Sequence, residues 1–336
     1  MILVTGGTGL VGAHLLYKLV SNNESVRAIY RTQRKLEHTK NVFSCYTKNA
    51  QVLFDKIEWV KADILDIPAL NDAFQNIDYV YHCAAFVSFE PDKYQQLRRA
   101  NIDGTANIVN LCIANTIKKL CYVSSIATIG KTLKNKPITE ETHWNPEEDN
   151  SVYAITKYGA EMEVWRGTQE GLNTVIVNPG VIIGAGIWHY GSGSIFKKVD
   201  KGLKHYTSGS VGLIAVSDVV AIMIRLQNSD IINERYILVA ENWSYKTFLR
   251  SIASSLNAKS VTKLAKPWLL QLGWRLDWLT SKLTGKRRIL SKQLAKSLIT
   301  ESNYANSKIT TTLNFKFRAI EDVILETGNL YLKQAR

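Results

Sequence analysis

Residues 5–12 read TGGTGLVG, a glycine-rich turn between an apolar run at Ile2–Thr5 and a helical pattern over Gly9–Ser21. Glycine permits a tight turn and lets the backbone approach a pyrophosphate, while the following helix offers unpaired N–H groups at its N-terminus. The turn follows a strand and precedes a helix, which is the context that a dinucleotide-binding motif requires. A glycine-rich turn that binds no ligand is the less favoured interpretation. The candidate phosphate-binding residues are Gly6, Gly9, Leu10, Val11 and Gly12.

Beyond this turn, strand-like apolar runs alternate with helical patterns. The candidate strands are Ile2–Thr5, Ser25–Arg31, Ile57–Lys61, Tyr79–Cys83, Leu120–Ser124 and Thr174–Asn178, with Arg235–Ala240 as a later one. Such alternation predicts parallel β-α-β units, which right-handed crossovers wind into a doubly wound α/β sheet of the Rossmann type. We expect residues 1–180, rejoined by 211–240, to form this dinucleotide-binding domain. We expect residues 181–210 and 241–336 to form a smaller, mostly helical substrate domain.

The composition of the 336-residue chain is that of an ordinary globular protein, with 46% hydrophobic and 21% charged residues, which excludes disorder and coiled coil. Its four cysteines lie far apart and its six histidines show no ligand spacing, so we expect neither a disulfide framework nor a metal site. The N-terminus shows no signal-peptide pattern, and no apolar run is long enough to span a bilayer. These features predict a cytoplasmic protein.

The net charge of +13 is concentrated near the C-terminus, where residues 259–298 hold ten Lys or Arg residues and one acid, Asp277. The first 200 residues therefore lack the basic excess typical of a nucleic-acid-binding surface, and we expect no nucleic-acid partner. The basic stretch could meet an anionic substrate, phosphates, RNA or a membrane surface. A solvated, lysine-rich helix face is the simplest interpretation.

The basic stretch contains an amphipathic segment, Pro267–Leu283, with two apolar stripes at helical spacing. The first stripe consists of Leu269, Leu272, Leu276, Leu279 and Leu283, and the second of Leu270, Trp274 and Trp278. Burial of both stripes in a core is the simplest explanation. Alternatively, one stripe lines a substrate pocket, or contacts a partner or a membrane surface through residues 268–283. Two aromatic-bearing faces suit a bulky hydrophobic substrate better than a sugar nucleotide.

A basic residue stands where an acidic residue is expected after the glycine turn. An acid about 20 positions on usually holds the ribose of NAD, but the residue 19 positions after Gly12 is Arg31. Its planar, permanently charged guanidinium suits the 2′-phosphate of NADP. We therefore expect NADP as the cofactor. The alternative is that Arg31 is a simple surface arginine and that the cofactor is NAD. Asp63–Ile64 follows the third strand, where adenine is expected, and Ala84–Ala85 follows the fourth, where small residues let the cofactor pass closely.

Tyr153 and Lys157 are four residues apart, so that on a helix their side chains share one face. A tyrosine with an ordinary pKa near ~10 is a poor acid or base at neutral pH, whereas a neighbouring ammonium lowers that pKa and makes proton transfer practicable. The same spacing also arises by chance. Ser124–Ser125, at the carboxyl end of a predicted strand, strengthens the functional interpretation, since open α/β sheets bind ligands at that edge.

Seven segments, in the same order, resemble the extended short-chain dehydrogenases/reductases over roughly the first 185 residues. They are TGGTGLVG at 5–12, ADILD at 62–66, HCAA at 82–85, NIDGTANI at 101–108, YVSSIATIG at 122–130, YAITK at 153–157 and NPGVIIG at 178–184. The resemblance implies that Ser125, rather than Ser124, polarises the substrate. It also implies that Tyr153 is the general acid/base.

The same resemblance implies the remaining site roles. Lys157 would bind the nicotinamide ribose and tune Tyr153, with both residues also contacting the cofactor. Asn101 would support the cofactor side, and Pro179 and Val181, within the NPGVIIG segment, would border the cofactor. The resemblance further implies a homodimer formed through the helices that carry Asn101 and Tyr153.

Three shorter segments point to one branch of this superfamily. VRAIYR at 26–31, VYHCAA at 80–85 and LTGK at 283–286 resemble the dihydroflavonol-4-reductase-like and 3β-hydroxysteroid-dehydrogenase-like enzymes. Asn178 stands where sugar-nucleotide epimerases commonly carry arginine, and Asn101 is a residue that plant dihydroflavonol reductases tend to lack. The resemblance implies an NADP-dependent oxidoreductase that transfers a hydride between nicotinamide and a carbonyl or hydroxyl group of a bulky hydrophobic molecule. An NAD-dependent nucleotide-sugar epimerase/dehydratase and a non-catalytic dinucleotide sensor are the alternatives.

Overall fold

A computed structural model describes residues 1–132, 136–285, 288 and 290–335. The fold begins with the predicted strand, glycine turn and helix at the N-terminus. Lys286 and Arg287 of the basic stretch lie outside the described residues. The strands are β1 (Ile2–Thr5), β2 (Val26–Tyr30), β3 (Glu58–Lys61), β4 (Tyr79–His82), β5 (Lys119–Val123), β6 (Thr174–Pro179), β7 (Val181–Ile183), β8 (His205–Tyr206), β9 (Ser210–Ala215), β10 (Glu234–Leu238), β11 (Glu241–Ser244) and β12 (Lys263–Leu264).

Helices connect most of these strands. They are α1 (Leu10–Ser21), α2 (Leu36–Ser44), α3 (Ala50–Phe54), α4 (Ile67–Ala73), α5 (Tyr94–Arg98), α6 (Gly104–Ala114), α7 (Val152–Gln169), α8 (Gly193–Asp200), α9 (Val216–Gln227), α10 (Tyr245–Ser255), α11 (Pro267–Thr284), α12 (Lys292–Ser297), α13 (Ser307–Leu313) and α14 (Ile320–Ala335). A wider π-helical turn at Arg99–Asp103 joins α5 to α6.

The large sheet is parallel throughout, with the strand order β3-β2-β1-β4-β5-β6-β10. Val4 of β1 lies in register with Ala28 on one side and Tyr81 on the other. The strand order reverses between β1 and β4, and open α/β sheets bind ligands at such a switch point, beyond the carboxyl ends of the strands. The predicted doubly wound sheet is confirmed.

Helices cover both faces of this sheet. Successive residues of β1 point to opposite faces, as the two-residue period of a strand requires. Leu3 packs in the core formed with α4, α6 and α7, whereas Val4 packs in the core formed with α1, α2 and α9. Each such buried aliphatic side chain contributes about 1.5–3 kcal/mol, so the sheet edge that carries the glycine turn is rigidly held.

A smaller sheet lies in the C-terminal part, where β7 is parallel and β11 antiparallel to β9. Helices α8, α10 and α14 pack there through Phe196, Phe248 and Ile324. This region is helical, as predicted, with a small sheet added. Of the segment expected to rejoin the first domain, α9 and β10 join the large sheet, whereas β9 pairs in the small one. The domain boundaries themselves stay a prediction.

Helix α11 lies on the surface, and none of its residues is buried. Trp268 is 60% exposed and Leu283 is 76% exposed. The expectation that both apolar stripes form buried core is therefore wrong, because none of the described elements covers the outer face of this helix. Within the described ranges, no helix combines the length and apolar character needed to cross a membrane.

Candidate active site

The glycine turn forms a cradle that larger residues could not form. Gly6 has a φ of +69°, and a Cβ on it would lie 2.6 Å from the Ala84 nitrogen. A Cβ on Gly12 would lie 2.3 Å from the Gly6 carbonyl oxygen. Gly9 precedes α1, and among the described residues no side chain caps this helix N-terminus. The first-turn N–H groups, on an open and positively polarised helix end, therefore fit a pyrophosphate.

A buried histidine lies beneath the glycine turn. His82 Nδ1 is hydrogen-bonded to Thr5 Oγ1 at 2.6 Å, and its Nε2 to Thr105 Oγ1 at 3.0 Å. Burial lowers the pKa of His82 to about 3, so the imidazole is neutral. The side chain connects β4 to β1 and α6, and it thereby stabilises the backbone beneath the glycine turn.

Arg31 stands at the adenine end of the expected cofactor site. Its Nη1 lies 3.5 Å from Asp63 Oδ2, and the two side chains are 56% and 38% exposed. An ion pair this open to solvent contributes little to stability, so the guanidinium can turn to another anion. Asp63 also accepts a hydrogen bond from the Leu65 nitrogen at 3.0 Å.

The other candidate cofactor residues fall in different surroundings. The Ile64 side chain is buried in the core against the α carbon of Gly104, and its predicted contact with the cofactor stays a prediction. Ala84 donates its N–H to Thr5 Oγ1 at 3.3 Å, and Ala85 is exposed beyond β4. Pro179 is buried at the end of β6, and Val181 is half-buried at the start of β7; their predicted contacts with a cofactor stay predictions.

Ser125 and Tyr153 are brought together at the carboxyl edge of the sheet. Ser125 follows β5, and its Oγ accepts the Ala127 N–H at 3.1 Å, which fixes the turn after the strand. Tyr153 lies in the first turn of α7, which begins where Ser151 Oγ accepts the Ala154 N–H at 3.1 Å. Burial raises the pKa of Tyr153, and a hydrogen bond with the Ser125 side chain acts in the opposite direction.

Lys157 is 1% exposed and lies one turn after Tyr153. Its Nζ donates hydrogen bonds to Tyr122 Oη at 2.5 Å and to the Val123 carbonyl oxygen at 2.9 Å. Burial lowers the pKa of Lys157 to about 7, and the nearby Glu161 carboxylate opposes this shift. The direct partners of Lys157 are therefore on β5, and its predicted tuning of Tyr153 stays a prediction.

A buried carboxylate holds the Ser124–Ser125 segment from below. Glu161 is fully buried, and its Oε2 accepts hydrogen bonds from Ser124 Oγ at 2.6 Å and from Thr128 Oγ1 at 2.7 Å. Arg235 Nη1 lies 3.2 Å from Glu161 Oε1. Because Ser124 is committed to this carboxylate, the geometry favours Ser125 as the serine that faces the site.

Asn178 completes this network. Its Nδ2 donates to Glu161 Oε2 at 2.8 Å, to Thr128 Oγ1 at 2.9 Å and to the Ser125 carbonyl oxygen at 3.2 Å. The residue is fully buried, so its side chain supports the Ser125 turn instead of contacting a substrate.

Glu161 is a residue of this network that the sequence motifs do not identify. A signal was present, because Tyr153, Lys157 and Glu161 follow each other at intervals of four residues on one face of α7.

Asn101 connects two elements of the candidate site. It is 1% exposed within the π-helical turn, where its Oδ1 accepts the Phe86 N–H at 2.8 Å. Its Nδ2 donates to the Phe86 carbonyl oxygen at 3.0 Å and to Thr156 Oγ1 at 3.2 Å. The side chain therefore joins the loop after β4 to α7, between Tyr153 and Lys157, and is suited to positioning them.

This constellation agrees with the comparisons to known proteins. The sequence matches the profile of the NAD dependent epimerase/dehydratase family over residues 2–233. The chain belongs to this family. It is an NAD(P)-dependent enzyme of the extended short-chain dehydrogenase/reductase type, which confirms the resemblance drawn from the motifs.

Individual relatives are distant. Sterol demethylase protein B of Methylococcus capsulatus is 26% identical over 277 residues, which cover 81% of this chain and 79% of the relative. The bifunctional dihydroflavonol 4-reductase/flavanone 4-reductase of Pyrus communis is 26% identical over 196 residues, or 54% of each chain. The structure of UDP-glucose 4-epimerase from Thermotoga maritima, with UDP-glucose, aligns at a TM-score of 0.77 and 18% identity, covering 100% of this chain and 99% of that one. This structural likeness establishes the fold.

Proposed function

We propose that this enzyme is an NADP-dependent oxidoreductase that interconverts a carbonyl and a hydroxyl group on a bulky hydrophobic molecule. The observation that carries the proposal is the placement of the Ser125 and Tyr153 side chains next to each other, at the sheet edge shared with the glycine turn. Lys157 lies buried beside this pair. Two hydroxyls and an amine at one edge can bind a substrate oxygen and move a proton to or from it.

The protein side of the reaction follows from these groups. The bound dinucleotide supplies or accepts the hydride. Ser125 donates a hydrogen bond to the substrate oxygen and orients it, and Tyr153 Oη passes its proton to the same oxygen during reduction. The charge of protonated Lys157 stabilises the resulting phenolate, and Glu161, which favours that charged form, supports it from the same helix.

The preference for NADP rests on Arg31. Its half-exposed guanidinium, which forms a weak ion pair with Asp63, can form a bidentate contact with a 2′-phosphate. A ribose without that phosphate would leave Arg31 paired with Asp63, so NAD would gain nothing from the arginine.

Fluorescence titration with NADPH and NADH tests this preference. Arg31→Ala is expected to weaken NADPH binding by about 10–100-fold, with NADH binding little changed, because one charge-assisted contact is lost. Arg98→Ala is the matched control, since Arg98 also forms an exposed pair with an aspartate, Asp103, at 3.4 Å. Equal loss of NADPH and NADH, or no loss, would contradict the assignment. Protein that purifies with bound NAD would instead support a nucleotide-sugar epimerase.

The proposed substrate class rests on the character of the C-terminal part of the chain and on the names of relatives. Helix α11 exposes an apolar face in that region, and one relative is named for sterol demethylation and another for dihydroflavonol reduction. A screen of carbonyl compounds with NADPH oxidation as the readout should find turnover among polycyclic or aromatic ketones before sugar nucleotides.

We also propose a homodimer through the helices that carry Asn101 and Tyr153. Helices α6 and α7 pack side by side, and Ile155 of α7 is 40% exposed. A two-fold contact between copies of these helices would cover that side chain. Light scattering should give twice the mass of one chain, and Ile155→Glu should reduce it; a monomer at all concentrations would contradict the proposal.

A further inference from the structure

Helix α11 carries an apolar face that no described element covers. The helix has 18 residues and is therefore about 27 Å long. At 3.6 residues per turn, six of its exposed apolar residues share one sector about 100° wide, and Trp278, 46% exposed, lies beside that sector. The six are Trp268, Leu269, Leu272, Leu276, Leu279 and Leu283, with exposed fractions between 38% and 76%. A continuous sector of this kind differs from singly scattered surface leucines, and such patches mark interaction sites.

The opposite face of α11 holds the helix to the protein. Asp277 Oδ2 accepts the Leu290 N–H at 3.0 Å, and Gly273 lies against the Leu290 side chain. Leu270 and Trp274 are half-buried on the same side. The orientation of the apolar sector is thus fixed outward.

Basic and aromatic residues border the apolar sector. Arg275 and Lys282 lie along one edge, with the Arg275 guanidinium 4.6 Å from the Trp274 ring and the Lys282 ammonium 5.3 Å from the Trp278 ring. Asp277, the acid within α11, points to the inner face. The outward surface of this helix therefore combines leucine, tryptophan and positive charge, which complements the interface of an anionic bilayer.

The position of α11 relates this surface to the catalytic edge. Helix α11 packs on α12, where Lys296 Nζ lies 3.1 Å from Asp149 Oδ2. Asp149 precedes Ser151, the residue that caps α7 just before Tyr153. The apolar sector therefore lies on a pair of helices, α11 and α12, and α12 contacts the segment just before the N-terminus of α7, where Tyr153 is located.

We propose that the outer face of α11 docks on the surface of an anionic phospholipid bilayer. The leucines and tryptophans enter the headgroup region, and Arg275 and Lys282 meet lipid phosphates. Docking in this orientation brings the border of the active site close to the lipid, from which a hydrophobic substrate could be drawn; this last step rests on the proposed function. Docking itself does not depend on turnover.

Co-sedimentation with vesicles tests the docking. The full chain should bind vesicles of phosphatidylcholine with 30% phosphatidylglycerol, and bind pure phosphatidylcholine at least several-fold more weakly because roughly a fivefold factor is expected per basic residue at the surface. Arg275→Gln with Lys282→Gln should remove most of this preference. Leu272→Glu with Leu276→Glu should lower the partition coefficient by about tenfold or more, since two apolar side chains no longer enter the interface.

Leu325→Glu is the matched control, because Leu325 of α14 is 52% exposed, as is Leu276. This variant should bind vesicles like the unmodified chain. All variants should retain the NADPH affinity of the unmodified chain, which separates docking from the proposed function. The proposal would be overturned if the chain does not bind vesicles, or if it binds neutral and anionic vesicles equally. It would also be overturned if the chain does not bind lipid but self-associates, and Leu276→Glu abolishes that self-association, because the apolar sector would then bind a second copy of the chain.

Discussion

Replacement of Tyr153 by phenylalanine is expected to lower kcat by about 10²–10⁴-fold, because it removes the hydroxyl that would exchange a proton with the substrate oxygen. The side chain keeps its ring in the same place, where it packs edge-on against Phe89 with ring centroids 5.5 Å apart. Since burial raises the pKa of Tyr153, its hydroxyl carries the proton at neutral pH and is ready to act as the acid in the direction of reduction.

Stopped-flow turnover and NADPH fluorescence titration together check this expectation. NADPH affinity should change little, because the deleted oxygen is needed for proton transfer rather than for holding the dinucleotide. Tyr158→Phe serves as the control on the same helix, as Tyr158 instead stacks on Trp144 with ring centroids 4.6 Å apart. Turnover by Tyr153→Phe close to that of the unmodified enzyme would remove Tyr153 from the proposed role.

The parts of the fold that the sequence predicts well are those specified by local patterns. The run Ile2–Thr5, the glycine turn and the helix that follows are each recognisable within a few residues, and the structure contains them in that order. The later strands of the large sheet are found within one or two residues of their expected ends. A parallel sheet buried on both faces requires such short apolar runs, so its strands remain visible without tertiary information.

Features that depend on tertiary contact were harder to predict. Ile64 follows β3 as expected, but its side chain turns into the core because Gly104 leaves space for it. The stripes of α11 are visible in the sequence, whereas their exposure depends on which other elements reach that helix. The Glu161 network joins residues from α7, β6, β10 and the turn after β5, which are far apart in sequence.

Replacement of Glu161 by glutamine is expected to weaken both the fold and the reaction. The amide keeps the volume but removes the charge that faces Arg235. In either orientation its NH₂ group meets donors where an acceptor is needed, either from Ser124, Thr128 and Asn178 or from Arg235. Disruption of a buried, charged hydrogen-bond network costs about 2–3 kcal/mol, which for a chain of this length corresponds to a Tm lowered by about 3–4 °C. Thermal unfolding followed by circular dichroism measures this loss.

The effect on kcat separates a positioning role from a purely structural one. Glu161 and Asn178 hold the turn that carries Ser125, and a displacement of the substrate-orienting hydroxyl by an ångström is expected to lower kcat by about 10–100-fold at temperatures well below the Tm. NADPH affinity should stay close to that of the unmodified enzyme, because the glycine turn lies on the far side of β4. A lowered Tm with kcat unchanged would show that Glu161 only stabilises the fold.

Glu163→Gln is the matched control for this experiment. Glu163 lies on the same helix and pairs with Arg166 at 2.8 Å, but its side chain is 28% exposed and the arginine 37%. Exposed pairs of this kind contribute about 0–1 kcal/mol, so this variant should keep both its Tm and its kcat. If both variants lose kcat equally, the effect comes from helix α7 as a whole; if Glu161→Gln alone loses it, the buried carboxylate is what keeps Ser125 facing Tyr153.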